Sequence, residues 1–402
     1  MSFLPVINEW PEEALRDLYA DLGPADVEAA LAREHRDLKD LAALFSPHAT
    51  PYLEVMAQEA QRLSRWHFGR TISLYTPIYI SNLCAADCVY CGFSARSGSR
   101  EKRITLRPEE IRKECENLAA QGFESILLLT GEAPKVVTPR YINKAIQICR
   151  EYFASVSVEI YAVDTDTYRE FVASGLEGVT LYMETYHRPT YREVHLLGEK
   201  ADYDYRLDAM DRAGAAGVRK INIGALLGLY DWRIDLLWTA LHARHLQKHY
   251  WQSAVGVSFP RLRHTPDRYQ IEHFITDREL VQSILALRLF LPEVGINLST
   301  REMPEFRDHL IPLGVTHMSA GSSTQPGGYA TYRRGEADER TNYREVLEQF
   351  EIEDTRSTET VVEAIRAHGY DPVWKDFDHA FDEPDGDSPS SLKGPATTMR
   401  SM

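Results

Sequence analysis

The stretch TISLYTPIYISNLCAADCVYCGFS (Thr71–Ser94) decides the fold. Its first eleven residues, Thr71–Ser81, are β-branched and aromatic, long enough for a strand and closed by the polar pair Ser81 and Asn82. Three cysteines follow at once. Working outward, helix-like RPEEIRKECENLAAQGF leads to apolar SILLLTGE (from Ser125), and TPRYINKAIQICREYF leads to SVSVEIYA (from Ser155). The alternation continues through LEGVTLYMET, VRKINIGAL, SAVGVSFP, INLST and VTHMSA, all but the first strand being reached through a helix-sized segment. Eight strand candidates joined in this way predict a (β/α)8 TIM-type barrel, with an open doubly wound sheet as the alternative. The expected division is an N-terminal helical extension of two or three helices over 1–70, the barrel over 71–328, a C-terminal wrapping segment over 329–381 and a disordered Pro, Ser, Gly and Asp-rich tail over 382–402.

Composition narrows the function class. The 402 residues are 44% hydrophobic and 26% charged, which suits a globular chain with a sizeable core. A formal charge of −15 opposes a polyphosphate backbone, so no nucleic-acid partner is expected. No run reaches the roughly 18 apolar residues of a membrane span, and MSFLPVINEWPEEAL lacks a basic start followed by an apolar core. The sequence therefore reads as cytoplasmic, with no membrane partner.

Five cysteines are too few for a disulfide scaffold, and three of them, Cys84, Cys88 and Cys91, lie within eight residues. Their loop leaves the first strand at the carboxyl end, where barrel active sites are built. Three soft thiolates suit an iron–sulfur cluster or zinc. A 4Fe–4S cube wants four ligands, so three leave one iron open to a small molecule. The competing reading is a non-enzymatic zinc-binding protein, with His67 or His187 as fourth ligand.

The Cys-x3-Cys-x2-Cys spacing with an aromatic, Tyr90, before the third cysteine resembles the signature of the radical S-adenosylmethionine (SAM) superfamily. Further strings extend the likeness: ETYH (Glu184–His187), GALLGL (Gly224–Leu229), HYWQS and VSFPRLR within His249–Arg263, LSTRE (Leu298–Glu302), TQPGGY (Thr324–Tyr329) and PVWKDFD (Pro372–Asp378). Together they resemble the radical SAM aromatic amino-acid lyases, most closely the tyrosine lyases that make 2-iminoacetate for the thiazole of thiamine. The resemblance implies a 4Fe–4S cluster on Cys84, Cys88 and Cys91 and SAM bound near Tyr90, the backbone at Phe93 and Thr130-Gly131-Glu132. Glu184, ending strand four, is expected to bind SAM or to orient the substrate amine, with a structural anchor as the competing role. The resemblance also implies cleavage of the Cα–Cβ bond of L-tyrosine to 2-iminoacetate and p-cresol, with SAM converted to methionine and 5′-deoxyadenosine. A thiazole synthase and a flavodoxin or ferredoxin reductant are the implied partners, and tryptophan lysis is the related alternative. No cysteine follows Cys149, so the chain has no thiolates for the second cluster of the maturase relatives.

A zwitterionic substrate needs a cationic fork for its carboxylate, and Arg301 after strand seven is placed to supply one. The competing role is a salt bridge with Glu302. Ser319, ending strand eight, is the expected second carboxylate contact. No general base is singled out, because the first step removes a hydrogen atom. His242, His245 and His249 fall at helical spacing but lack the Glu of a His-Glu-x2-His site, so a solvated or edge-packed face is expected. Cys115 and Cys149 read as buried hydrophobes. Gly327-Gly328 reads as a loop turn, and RRGEADER as a solvated face.

Overall fold

β1 (Thr71–Ser81) is the longest strand, and its neighbours close the sheet on themselves. The computed structural model describes residues 1–97, 103–263, 265, 269–332 and 348–375. β1 pairs in parallel with β2 (Ser125–Thr130), and the order continues through β3 (Ser155–Glu159), β4 (Gly178–Thr180), β5 (Lys220–Gly224), β6 (Ala254–Ser258), β7 (Gly295–Leu298) and β8 (His317–Ser319). β8 returns to β1 with Ser73 opposite His317 and Tyr75 opposite Ser319. Eight parallel strands thus form a closed (β/α)8 barrel, and the open-sheet alternative falls.

Between strands run the helices that the periodicity demands, among them Pro108–Ala119, Pro139–Arg150, Thr165–Ala173, Trp232–His249, Asp277–Phe290 and Pro304–Leu310. Two details differ from the sequence reading. The segment before β5 is split at Asp208 into Tyr203–Leu207 and Ala209–Ala215, and a further helix, Arg188–Val194, lies ahead of it. The N-terminal region holds five helices rather than two or three: Leu4–Glu9, Glu12–Asp17, Pro24–Ala32, Leu38–Phe45 and Leu53–Phe68. Pro11, Gly23-Pro24 and Ser46-Pro47 interrupt the period there. This layer lies on the barrel's flank, where the Gln282 amide reaches the carbonyls of Leu44 and Ser46 at 2.8 and 2.9 Å. Leu41, Leu44 and Phe45 are fully buried, each worth about 1.5–3 kcal/mol of apolar transfer.

The histidine face is not solvated. His242 and His245 are buried, Phe3 stacks on His242, and their ring nitrogens meet Tyr186 Oη at 2.9 Å and Asp211 at 2.8 Å. Cys115 and Cys149 are buried, as expected, with sulfurs 3.6 Å apart. Gly327-Gly328 runs into a short helix, Gly328–Tyr332, whose Tyr329 hydroxyl anchors on the carbonyl of Pro77 at 2.7 Å. Beyond it, Thr358–Ala367 is helical and β9 (Asp371–Val373) adds in parallel to Thr71–Ser73, a strand the sequence reading lacks. RRGEADER and the tail expected to be disordered lie outside the described residues. Among the described residues no helix is long and apolar enough to cross a membrane.

Candidate active site at the barrel mouth

All three clustered cysteines leave β1 in one loop, and the barrel holds that loop by its backbone. Ala85 N–H donates to Glu132 O at 2.8 Å, and Asp87 N–H and Val89 N–H donate to the carbonyls of Leu197 and Val194. Arg103 gathers four carbonyls of the loop, those of Asn82, Phe93, Ser94 and Ser97, at 2.5–2.8 Å. Gly131 has to be glycine because a Cβ there would stand 2.3 Å from Leu83 O and 3.0 Å from Cys84 Cβ. Gly92 is as confined, its Cβ position lying 2.2 Å from Glu348 O.

Burial raises all three thiols. Desolvation and Glu132 push Cys84 up, desolvation pushes Cys88 well up, and desolvation with the Cys84 charge pushes Cys91 up to about 11. Their thiolate forms therefore need a cationic centre. Among the described residues no three His, Cys, Asp or Glu side chains converge as ligands of one ion. A zinc site requires that convergence, whereas a cube sends each thiolate to a different iron. His67 ends the helix that precedes β1, and His187 stacks on Tyr230 with Nε2 3.0 Å from Glu12, so neither expected fourth ligand serves the loop. Beside the cysteines the buried Thr130 hydroxyl has no hydrogen-bond partner, as expected where a ligand completes the site. The donor set fits a 4Fe–4S cluster with an adjoining polar ligand.

Next to the loop lies a closed set of charges. Lys200 Nζ sits 2.7 Å from Glu184 Oε1, and Arg206 Nη1 sits 2.9 Å from Glu132 Oε1. Burial raises the Glu184 carboxyl, but Lys200 and Arg206 outweigh it and hold the group below its usual range. Burial and the Arg206 charge depress Lys200, yet Glu184, Cys88 and Glu132 leave it raised, so both partners are ionised. Glu184 itself has φ 66°, a left-handed backbone that a non-glycine residue adopts only under constraint. Tyr90 lies over this group, with Lys200 Nζ 6.0 Å from its ring. His195 is kept neutral by burial and by the Lys200 and Arg206 charges. Its Nδ1 is 2.9 Å from Tyr191 O, which assigns the proton to Nδ1, so the Tyr90 hydroxyl donates to Nε2 at 2.7 Å. Phe93 packs edge-on to Tyr79, and its N–H donates to Cys91 Sγ at 3.4 Å.

The other half of the mouth is a cavity. Tyr79, Glu159, Tyr182, Arg301, Ser319 and Phe350 are among the side chains lining it. Arg301 lies flat on Phe350, Cζ 3.4 Å from the ring centroid. It does not pair with Glu302, which is buried between Arg261 at 2.5 Å and Arg263 at 3.0 Å. Ser319 Oγ accepts from Thr300 N–H at 3.1 Å and its hydroxyl also meets the Tyr75 phenol. A strap from Glu348 to Ser357 crosses the opening: Gly92 N–H donates to Gln349 O, Tyr79 Oη donates to Gln349 Oε1 at 2.6 Å, and Asp354 is clasped by Arg307 and by Arg356 at 2.8 Å.

The expected residues thus fall into two neighbouring groups: Cys84, Cys88, Cys91, Tyr90, Phe93, Thr130, Gly131, Glu132 and Glu184 on one side, Arg301 and Ser319 on the other. Sequence reasoning missed Arg103, His195, Lys200, Arg206, Glu159 and the strap. Glu159 alone carried a signal, since alternation in SVSVE turns Ser157 and Glu159 to the lumen.

Residues 78–237 match the model of the Radical SAM superfamily, and residues 258–371 match that of the Biotin and Thiamin Synthesis associated domain. The chain is 47% identical over 355 residues to the 2-iminoacetate synthase of Salmonella typhimurium, covering 88% of this chain and 91% of that protein. The 2-iminoacetate synthase of Escherichia coli is equally similar, 47% over 355 residues with the same coverage. Among solved structures, HydG, a maturase of the FeFe-hydrogenase, superposes with TM-score 0.82 at 30% identity over 90% of this chain and 80% of its own. Methylornithine synthase, at TM-score 0.65 and 23% identity over 87% of this chain and 97% of its own, shares the fold.

Proposed function

The chain belongs to the 2-iminoacetate synthase family of radical SAM enzymes, and from that premise we propose how its barrel mouth carries out the family's reaction. The protein is a carbon–carbon lyase that cleaves L-tyrosine between Cα and Cβ, giving 2-iminoacetate for the thiazole of thiamine and p-cresol. Cys84, Cys88 and Cys91 would hold the 4Fe–4S cluster. Tyr90, the Phe93 backbone, Thr130, Gly131, Glu132 and Glu184 would hold SAM. When bound, the reduced cluster supplies the electron that splits SAM into methionine and the 5′-deoxyadenosyl radical that takes a hydrogen atom from substrate.

The observation that carries this reading is the cysteine loop standing beside a cavity that contains an arginine with no carboxylate partner among the described residues. Arg301, held planar against Phe350, offers two parallel N–H groups to the tyrosine carboxylate, and Ser319, lining the same cavity, is the second contact. The strap bonds to both halves, through Gly92 on the cysteine loop and Tyr79 on the cavity wall. A flavodoxin- or ferredoxin-type reductant feeds the cluster, and a thiazole synthase consumes the water-labile imine.

Anaerobic assay of reconstituted protein with SAM, dithionite and either L-tyrosine or L-tryptophan tests this. p-Cresol and glyoxylate formed from tyrosine alone support the reading. Deoxyadenosine without p-cresol keeps the radical SAM chemistry and rejects the substrate.

A further inference from the structure

Among the described residues, most carboxylates at the barrel mouth are matched. Glu132 has Arg206, Glu184 has Lys200, and Glu302 has Arg261 and Arg263. Glu159, at the carboxyl end of β3, has neither an ion pair nor a hydrogen bond among the described residues, and it lines the same cavity as Arg301. An unmatched carboxylate is costly in a partly desolvated cavity unless a ligand completes it. One unmatched anion and one unmatched guanidinium in one cavity are the complement of a zwitterion.

The atom balance of the reaction asks for such an anion. The nitrogen of zwitterionic tyrosine carries three hydrogens and that of 2-iminoacetate carries one. Radical chemistry removes a single hydrogen atom, so at least one hydrogen leaves as a proton. The sequence reading named no base; the balance requires an acceptor.

We propose that Glu159 binds the ammonium group of the substrate, opposite the carboxylate on Arg301, and takes its proton. In that step an N–H bond breaks, an O–H bond forms on the Glu159 carboxylate and the electron pair stays on nitrogen; nothing is oxidised or reduced. The amine then meets the radical as a neutral group. This assignment rests on the tyrosine-lyase reading and adds the residue that recognises the amino end.

The test compares binding of L-tyrosine with that of 3-(4-hydroxyphenyl)propanoate, the same molecule without the ammonium, to anaerobically reconstituted protein carrying SAM. The wild type prefers tyrosine, and Glu159→Gln reduces that preference about 10- to 100-fold, the range of a lost charge-assisted hydrogen bond. Glu159→Asp, which keeps the charge on a shorter arm, restores part of it. An unchanged preference in Glu159→Gln overturns the proposal. So does a loss of preference for tyrosine over phenylalanine instead, which puts the carboxylate at the phenol end.

The wild type gives a second measurement that needs no variant. The groups facing Glu159 are Glu184, Arg301, Lys200 and Arg206 and the phenols of Tyr75, Tyr79 and Tyr182. Burial first, then Glu184, push its carboxyl up to about 7 against the pull of the three cations. The preference for tyrosine over the des-amino compound therefore falls as pH drops through about 7, and a flat preference from pH 6 to 8 overturns the proposal. Wild type that forms no p-cresol refutes the lyase reading. Wild type that forms it, with the preference intact in Glu159→Gln, refutes only the role of Glu159.

Discussion

The two halves of the barrel mouth treat charge in opposite ways. On the cysteine side Lys200, Arg206, Glu132 and Glu184 satisfy one another within 2.7–3.9 Å, so that region is electrically complete before any ligand arrives. On the cavity side Arg301 and Glu159 line one space with no carboxylate on the arginine and no cation on the glutamate among the described residues. Buried pairs hold a structure in one arrangement, and removing one member strands the other. Unmatched charges cost the fold some stability and keep their interaction energy for what binds. On the proposed reading, the contrast separates a half that positions a cluster and its cosubstrate from a half that recognises a zwitterion.

The largest effect is expected where the cysteine side loses its ligands. Cys88→Ala should abolish cluster and turnover together, read as iron and sulfide content after reconstitution and as p-cresol formed; a fully active Cys88→Ala protein refutes the ligand assignment. Next comes Arg206→Met, which leaves the Glu132 and Glu184 carboxylates buried without their arginine and with Lys200 alone. A stability loss of about 3–5 kcal/mol is expected, measured by denaturant midpoint against wild type. A midpoint within experimental error of wild type shows that the charge network is not holding this half together.

Arg301→Ala is the matching cut on the cavity side, and its signature is reversed. No carboxylate is stranded, so the denaturant midpoint should stay near that of wild type. The KM for tyrosine should rise about 10- to 100-fold, from the loss of a charge-assisted fork, while SAM cleavage is partly retained. An unchanged KM removes Arg301 from the substrate site.

How much of this was legible in the sequence follows the same division. The eight strands could be read because each is a short apolar run between helical periods, and the cysteine loop because three thiols in eight residues have few uses. Arg301 and Ser319 were singled out through family likeness and their place at strand ends. Lys200, Arg206 and His195 were not legible, because they come from short elements between β4 and β5 whose lengths are set by packing, and because a charged residue there looks like any solvated one. The split of the first seventy residues into five helices was written in Pro11, Gly23-Pro24 and Pro47. β9 and the strap could not be read: three strand residues carry too little pattern, and Gln349 and Phe350 gain meaning only where the chain crosses the mouth.

The smallest expected effect sharpens the comparison most. If Glu159 is held for a ligand, replacing it should not weaken the ligand-free fold, in contrast to Arg206. Its carboxyl is raised by burial from 4.5 to about 7 in the folded protein, so the fold favours the protonated form. That preference contributes stability that is fully present below about pH 4.5 and is lost as pH rises through about 7. At pH 8 the native protein therefore carries an ionised carboxylate it would be more stable without, and Glu159→Gln removes it at nearly constant volume. The variant's denaturant midpoint, measured without tyrosine, should equal that of wild type below about pH 4.5 and exceed it at pH 8. Added tyrosine should raise the wild-type midpoint more than the variant's, because only the wild type gains a cation for its carboxylate. A variant less stable than wild type at pH 8 without ligand would mean that Glu159 has a structural partner and that the two halves of the mouth do not differ.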